Sequence, residues 1–517
     1  MALLRSIITV SSFTFASRIF GFIRDMLVAA YLGAGPIADA CFVAFKMPNF
    51  FRRLFAEGAF NAAFVPLFSA KLADDGKSAA LHFAGAVMSI MTTFLVIFVI
   101  IFQVSMPWLM YIFAPGFADD PEKFGFAIDL TRITFPYLLF VSLVSLLGGV
   151  LNSLGRFAAV AATPIILNLF IIGALLLATP YLPSAGHAFV WGVFLAGIGE
   201  FLWLVYACHR EGFTLHLTKP RFSPPVRRLL KLMVPGAIGA GVLQINQLVD
   251  VVIASLLPTG AISFLYYADR IHQLPLGVVG VAIGTALLPV LSQQIRAGEN
   301  KNALNSMNRA IEVALLLTLP GAAALLVIGQ PIVSVLFERG AFDAATTLAT
   351  TQALMAYSVG LPAYVLIKVL APAFFARQDT STPVKIAILC VFLNLGLNLT
   401  LMQIFAHVGI AMATAISAWV NAALLLIFLY KRGQFQTDAR LRNRACRIFL
   451  ATLGMATVLW IVHTAFQGLY DASQVARIGL LAILVFGGLV VYFVLILMFR
   501  AAAISDFKSL LRRQQTD

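Results

Sequence analysis

Charged side chains set inside long apolar segments are the part of this sequence equipped to do chemistry. Arg18, Arg24 and Asp25 fall in the first such segment, and Asp39, Lys46, Arg52, Arg53 and Glu57 in the second. Arg132 lies in the fourth, Asp250 in the seventh, Asp269 and Arg270 in the eighth and Lys368 in the tenth. One charge facing lipid at mid-membrane costs about 2.5–3.5 kcal/mol on insertion scales, so the set would cost roughly tens of kcal/mol. These groups must therefore face water or one another. Spacing favours a shared face. Arg18 and Asp25 are seven residues apart with Gly21 between them, and Asp39, Lys46 and Arg53 repeat that interval before Glu57 follows four residues later. Side chains seven apart share one side of a helix, so the second segment carries a polar stripe.

Arginine keeps its charge and presents a planar fork that matches phosphate oxygens. Several arginines around one wet cavity point to a substrate with phosphate groups, with Arg18, Arg24 and Arg270 as its ligands. Bland readings stand beside this one. Arg53 and Glu57 are placed for an i, i+4 ion pair, and charges near segment ends can snorkel to headgroups. A second constellation is a candidate monovalent cation site made of Asp250, Asn394, Asn398 and Thr414. Oxygen ligands of this kind suit a hard cation, while ordinary interhelical hydrogen bonding is the alternative.

The elements that must hold these residues follow from composition. The 517 residues are 61% hydrophobic and 11% charged, and mean hydropathy is +0.94. Soluble domains carry about 25% charged residues, so lipid has to be the main solvent. A helix needs about 20 apolar residues to cross a bilayer core. Apolar runs then predict an all-α integral membrane protein of about fourteen transmembrane helices, at 2–33, 37–70, 82–112, 125–152, 158–180, 187–208, 229–257, 261–295, 305–336, 346–375, 383–404, 409–430, 446–466 and 476–499. Alternate loops differ in charge. One set includes Lys71, Lys77, Arg156, Arg210, Arg227, Arg296, Arg377, Arg432 and Arg440, and the other holds little more than Lys123 and Arg339. By the positive-inside rule both termini are cytoplasmic. The net charge of +14 fits that topology and contact with anionic membrane lipids, not nucleic acid.

The stretch 209–228, HREGFTLHLTKPRFSPPVRR, mixes basic and apolar residues and reads as an amphipathic cytoplasmic linker. The sequences on either side of it resemble each other. Pro66 and Ser69 match Pro289 and Ser292, FAPG at 113–116 matches FERG at 337–340, Pro136 matches Pro362, and Thr163-Pro164 matches Thr382-Pro383, all in order. The expected organisation is an N-terminal lobe at 1–208, the linker, a C-terminal lobe at 229–430, and a C-terminal helix pair with a tail at 431–517. The two six-helix lobes form a parallel repeat with a pseudo-twofold along the membrane normal, an arrangement that places substrate sites where repeats meet. In that scheme Lys46 lies opposite Asp269 and charged stripes line a central cavity. Interior prolines such as Pro48, Pro136 and Pro362 permit bends.

Some chemistry is excluded. Gly76-Lys77-Ser78 lacks the earlier glycine of a nucleotide-binding loop, since Lys71 stands there. No metalloprotease or serine-hydrolase motif occurs. Cys41, Cys208, Cys390 and Cys446 have no metal-site spacing and read as small buried residues. The N-terminus continues through Arg18, Arg24 and Asp25, which reads as a retained first helix.

Longer motifs carry a family likeness. The run SRIFGFIRD at 17–25, followed by DACFVAFKMPNFFRRLFAEGAFNAAFVP at 39–66, resembles the start of the MurJ/MviN family of bacterial lipid II flippases. YADRIHQLPLGVVGVAIGTALLP at 267–289 and KVLAPAFFARQDTSTPVK at 368–385 are similar to later parts of that family, and the likeness spans essentially the whole chain. It implies a fold of the multidrug/oligosaccharidyl-lipid/polysaccharide exporter type, with a hydrophobic groove made by the last two helices. It implies a non-enzymatic flippase of the bacterial inner membrane that moves lipid II from the cytoplasmic to the periplasmic leaflet by alternating access. Lipid II is an undecaprenyl-diphosphate carrying a disaccharide-pentapeptide. No cofactor is expected; Na+, H+ or the membrane potential are candidate driving forces, and cell-wall synthesis machinery a candidate partner.

The likeness adds Arg52 to Arg18, Arg24 and Arg270 as headgroup ligands. Ser17, Asp25, Asp39, Lys46, Asn49, Arg53, Glu57, Ser263, Asp269 and Lys368 are expected to shape or gate the cavity. Gln273 and Asn398 stand where some relatives carry an acid, which weakens an ion role at those positions. Other functions would leave other marks. A cation-coupled drug antiporter on the same fold would favour an acidic, aromatic cavity. An enzyme acting on polyprenyl phosphates would need a carboxylate cluster or histidine at a membrane face. A non-transporting scaffold would not need charges on cavity faces.

Overall fold

The computed structural model describes residues 2–55, 59–214, 217–220, 222–466, 468 and 473–501. Among them all regular structure is helical: α1 Ala2–Leu32, α2 Pro36–Phe55, α3 Ala59–Asp74, α4 Gly76–Phe113, α5 Pro121–Thr134, α6 Tyr137–Ser153, α7 Phe157–Gly173 and α8 Ala185–Arg210. There follow α9 Pro224–Ser255, α10 Ala261–Arg296, α11 Asn300–Phe337, α12 Ala344–Phe375, α13 Ser381–Lys431, α14 Ala439–Ala465 and α15 Gln474–Met498. Nine helical segments among the described residues are long and apolar enough to cross a membrane by length and composition.

Helix starts follow local chemistry. Asp120, Ser184, Asp343, Asp438 and Ser473 each accept a hydrogen bond from a backbone N–H in the first turn of α5, α8, α12, α14 and α15, satisfying donors that the helix leaves open. Four expected spans differ in detail. The span 125–152 is two helices, α5 and α6, because Pro136 at their junction has no N–H to continue the ladder. The span 37–70 is α2 and α3, and Glu57 between them lies outside the described residues. The spans 383–404 and 409–430 form one segment, α13, bent at Ala406, whose φ of 48° breaks the helix. Ser417 Oγ donates to Cys390 O at 2.9 Å across the bend, so the halves lie side by side.

The chain divides into two compact units. Unit 1 comprises 1–263 with 339–342, and unit 2 comprises 264–338 with 343–517. Lipid tails are as apolar as leucine, so packing and polar contacts, not water exclusion, hold such helices together. In unit 1, Phe60, Phe64, Phe68 and Phe83 stack between α3 and α4 at 5.1–5.8 Å. The first helix after the 209–228 segment, α9, packs on α2, α3 and α4. Its ends belong to α8 and α9, and the described residues between them, 211–214, 217–220 and 222–223, are not helical. It is tied to α4 by Thr218 N donating to Ser89 Oγ at 2.7 Å and by Lys77 Nζ over the Phe213 ring at 4.7 Å.

Two turns complete unit 1. At 113–116, Gly116 N donates to Ser255 Oγ at the end of α9 (3.2 Å). At 339–342, Ala341 N donates to Ala30 O near the end of α1 (2.8 Å). A Cβ on Gly116 or Gly340 would fall 2.1 Å and 2.3 Å from the Ser255 and Ala30 carbonyl oxygens, so only glycine fits either turn.

In unit 2, Met307, Val365, Val369, Phe374 and Ile386 centre a core built from α10 to α13. Ile328, Met455, Leu459, Leu480 and Leu484 pack α14 and α15 onto α11. Outward faces are apolar, as Ile97, Ile101 and Val104 of α4 and Phe486, Leu489 and Val490 of α15 exemplify.

Candidate functional site

The charges on α1 form a clamp. Arg24 is 8% and Asp25 6% exposed. Arg24 Nε and Nη2 donate to Asp25 Oδ1 at 3.0 and 2.7 Å, and its Nη1 donates to Asn168 Oδ1 of α7 at 2.9 Å. Asn168 Nδ2 donates in turn to Ser17 O at 3.1 Å. Ser17 thus enters through its carbonyl, and α1 and α7 are joined by a polar chain in an apolar seam. Arg18, two turns before Asp25 on the path of the stripe, is exposed. Arg24 therefore keeps a fixed, partly neutralised charge, while Arg18 is open to an incoming anion.

The stripe on α2 is not uniformly wet, contrary to its reading as one polar face. Asp39 is 1% exposed. Its carboxylate accepts from Lys123 Nζ at 2.9 Å, Gly260 N at 2.8 Å, Ser263 N at 3.0 Å and Ser263 Oγ at 2.7 Å. Lys123 is itself 4% exposed, with its ammonium 4.2 Å from the centre of the Phe117 ring. Asp39 thus joins α2, α5 and the start of α10, where the first backbone N–H groups favour a negative charge. Lys46 and Arg53 are exposed and Asn49 and Arg52 half-buried. Asn49 Nδ2 donates to Phe45 O one turn back (2.8 Å), and Arg53 Nη1 donates to Gln247 Oε1 of α9 (2.9 Å).

Unit 2 holds the remaining residues except Asp250. Arg270 lies over the Tyr266 ring at 4.6 Å, a cation–π contact that orients the guanidinium. Asp269 accepts a hydrogen bond from the Gln273 amide one turn on. Lys368 is half-buried, and its stem lies against α10 at Gly280. Asn398 Nδ2 donates to Asn394 Oδ1 at 3.0 Å, and Asn394 Nδ2 reaches Thr414 Oγ1 at 3.5 Å across the bend in α13. These three neutral groups hydrogen-bond to one another, and Asp250 belongs to unit 1. No cluster of three or more acidic, histidine or cysteine side chains able to hold a metal occurs among the described residues.

Four buried polar residues, Lys123, Asn168, Glu200 and Glu312, stand outside the set that the sequence singles out. Lys123, expected in a loop, lies in the first turn of α5 and is sealed. Asn168 is neutral, so a search for charges passes over it. Glu200 on α8 is 3% and Glu312 on α11 6% exposed; both are charges set in apolar segments, the same signal that marks Asp250. Glu312 takes ion pairs from Arg309, Arg440 and Arg444, which tie α11 to the start of α14.

The family profile described as lipid II flippase MurJ matches residues 28–481. The chain belongs to the lipid II flippase MurJ family. It is 41% identical over 522 aligned residues to a probable lipid II flippase MurJ from Rhizobium tropici, covering all of this chain and 98% of that relative. A solved lipid II flippase MurJ in an inward closed conformation superposes with a TM-score of 0.79 at 28% identity, over 95% of this chain and 99% of the other. An inward-facing multidrug resistance MATE transporter of the MOP superfamily shares the fold at 13% identity and a TM-score of 0.69, over 82% of this chain and 97% of that one. This member of the MurJ family is thus a multi-pass membrane protein with an exporter-type fold.

Proposed function

We propose that this protein moves lipid II from the cytoplasmic to the periplasmic leaflet of the bacterial inner membrane by alternating access, with both termini in the cytoplasm. The observation that carries the reading is Arg24: a guanidinium fixed inside an apolar helix seam by Asp25 and Asn168, in a chain related over its whole length to lipid II flippases. A diphosphate needs cations held ready in a low-dielectric setting, where each contact is stronger than in water. Arg18 and Arg52 extend that set in unit 1, and the family likeness includes Arg270 as a headgroup ligand. Asp39, Ser263 and Lys123 form a latch that must loosen for the headgroup to leave.

The polyprenyl tail stays in lipid along α14 and α15, whose exposed faces are apolar. Na+, H+ or the membrane potential resets the cycle. Anionic lipids contact the basic loops, and the cell-wall synthesis machinery receives the product. The test is lipid II translocation in proteoliposomes with Arg18→Ala, Arg24→Ala and Arg270→Ala made singly. Each variant is expected to lose transport, and wild-type rates in all three would end the proposal.

A further inference from the structure

One carboxylate in unit 1 has no role in the networks described so far. Glu200 sits on the buried side of α8, in line with Val193, Ala196, Gly197 and Leu204. It is 3% exposed, and its Oε2 is buried without a hydrogen-bond partner among the described residues. An ionised carboxylate in such a place costs several kcal/mol unless it is paired. The positive charge that acts on it is Arg52 of α2. Elsewhere its surroundings offer little. The helices α6 and α7 bring no charged side chain, and the one titratable group of α6, Tyr137, packs one turn away at Gly197. From α5, Lys123 is committed to Asp39, Arg132 bonds the Gln103 carbonyl, and Glu122 and Asp129 are exposed. On α1, Arg24 is held by Asp25 and Arg18 is exposed. On α2, Asp39 is in the latch and Lys46 and Arg53 are exposed.

From this geometry we infer that Glu200 is a proton-binding site linked to substrate through Arg52. The inference rests on reading Arg52 as a ligand of the substrate diphosphate. Arg52 serves two anions in turn. With a diphosphate on its guanidinium, the attraction on Glu200 is cancelled, and the buried carboxylate takes a proton from solvent to form a neutral acid. When the diphosphate leaves, Arg52 turns to Glu200, the O–H bond breaks, and the proton returns to solvent. Linkage is reciprocal, so proton occupancy and diphosphate affinity must raise each other. A diphosphate diester has no ionisation near neutral pH, so the protein supplies any pH dependence in that range.

The experiment measures lipid II binding to the full chain in nanodiscs at about pH 6 and about pH 8, for wild type and Glu200→Gln, which copies the neutral acid. Wild type is expected to lose affinity about tenfold over that interval, and the glutamine variant to hold the low-pH affinity throughout. Infrared difference spectra against Glu200→Gln give a readout independent of lipid. A protonated-carboxyl carbonyl band is expected in wild type at about pH 6, weakened at about pH 8 and restored by lipid II. No such band at either pH, or equal pH dependence in both proteins, overturns the proton site. A wild type that shows the band but never binds lipid II keeps the proton site and overturns the lipid II reading and the coupling.

Discussion

Removing Asp39 is expected to cost more than removing its partner, and removing both less than the sum. In Asp39→Ala the Lys123 ammonium, 4% exposed, loses its counter-charge, and the N–H groups of Gly260 and Ser263 lose their acceptor. Breaking a buried pair from one side costs about 3–5 kcal/mol. In Lys123→Met the carboxylate keeps three neutral donors, at 2.7–3.0 Å, and loses one charge-assisted bond, about 1.5–3 kcal/mol. The double variant strands no charge. Its cost should fall short of the sum of the singles by about 2 kcal/mol, within the range seen for directly coupled residues. The assay is a double-mutant cycle of unfolding free energies for the purified protein in mixed detergent. Additivity to within about 0.5 kcal/mol would show that the two residues act independently, and the reading of a sealed latch would fall.

Other outcomes follow from the same contacts. Glu312→Ala leaves Arg309, Arg440 and Arg444 facing one another and is expected to cost about 2 kcal/mol, below the fully buried figure because the arginines are partly hydrated; limited proteolysis near the start of α14 and unfolding curves check it. Gly340→Ala combines a left-handed residue, about 1–2 kcal/mol, with a Cβ 2.3 Å from Ala30 O, about 1–3 kcal/mol more. Gly298→Ala, at φ +74° with open space around it, should cost only the first part; equal costs in the two variants would refute the close-packing account. Asp379, in the loop before α13, is held well below the usual carboxylate range by the Thr382 hydroxyl, the Thr382 backbone N–H and Arg432. A carboxylate with a depressed folded-state value stabilises above its unfolded value, so the advantage of wild type over Asp379→Asn should be full down to about pH 5 and shrink only in stronger acid. A thermal-shift pH series on both proteins measures this.

How much of the site the sequence reveals depends on what kind of group is sought. Charge inside an apolar run is visible in one dimension, and it located Arg18, Arg24, Asp25, Asp39, Arg52 and Arg270. Which charges pair is not visible. Arg24 and Asp25 are neighbours in sequence, and a seven-residue rule looks past them toward Arg18. The stripe Asp39–Lys46–Arg53 has regular spacing, yet its first member is buried while the other two are exposed. Spacing gives the face of a helix but not what covers it, and α5 covers Asp39 with Lys123. A lysine two residues after Pro121 at a helix start looks like a loop charge until tertiary packing buries it. Neutral anchors such as Asn168 leave no mark, because burial and partners alone make them structural.

The repeat shows a clearer path from sequence to structure. FAPG and FERG share only two of four residues, and their likeness alone is weak. The structure gives the shared glycine one purpose at both places. Gly116, after the third expected span, lies against the end of α9, the seventh; Gly340, after the ninth, lies against the end of α1, the first. Ala30 and Ser255 are separated along the chain by nearly the same interval as the two glycines. Each copy of the repeat thus sends its turn to the first helix of the other copy. A repeat that arose by duplication keeps such a pair only if both contacts are needed, since either glycine gains an alanine by one mutation and alanine fits neither turn. This exchange also explains why residues 339–342 belong to unit 1 although the chain on both sides of them belongs to unit 2. Their backbone is fixed by Ala30, and the pairing that fixes it is one half of a symmetric pair whose other half the sequence repeat already pointed to.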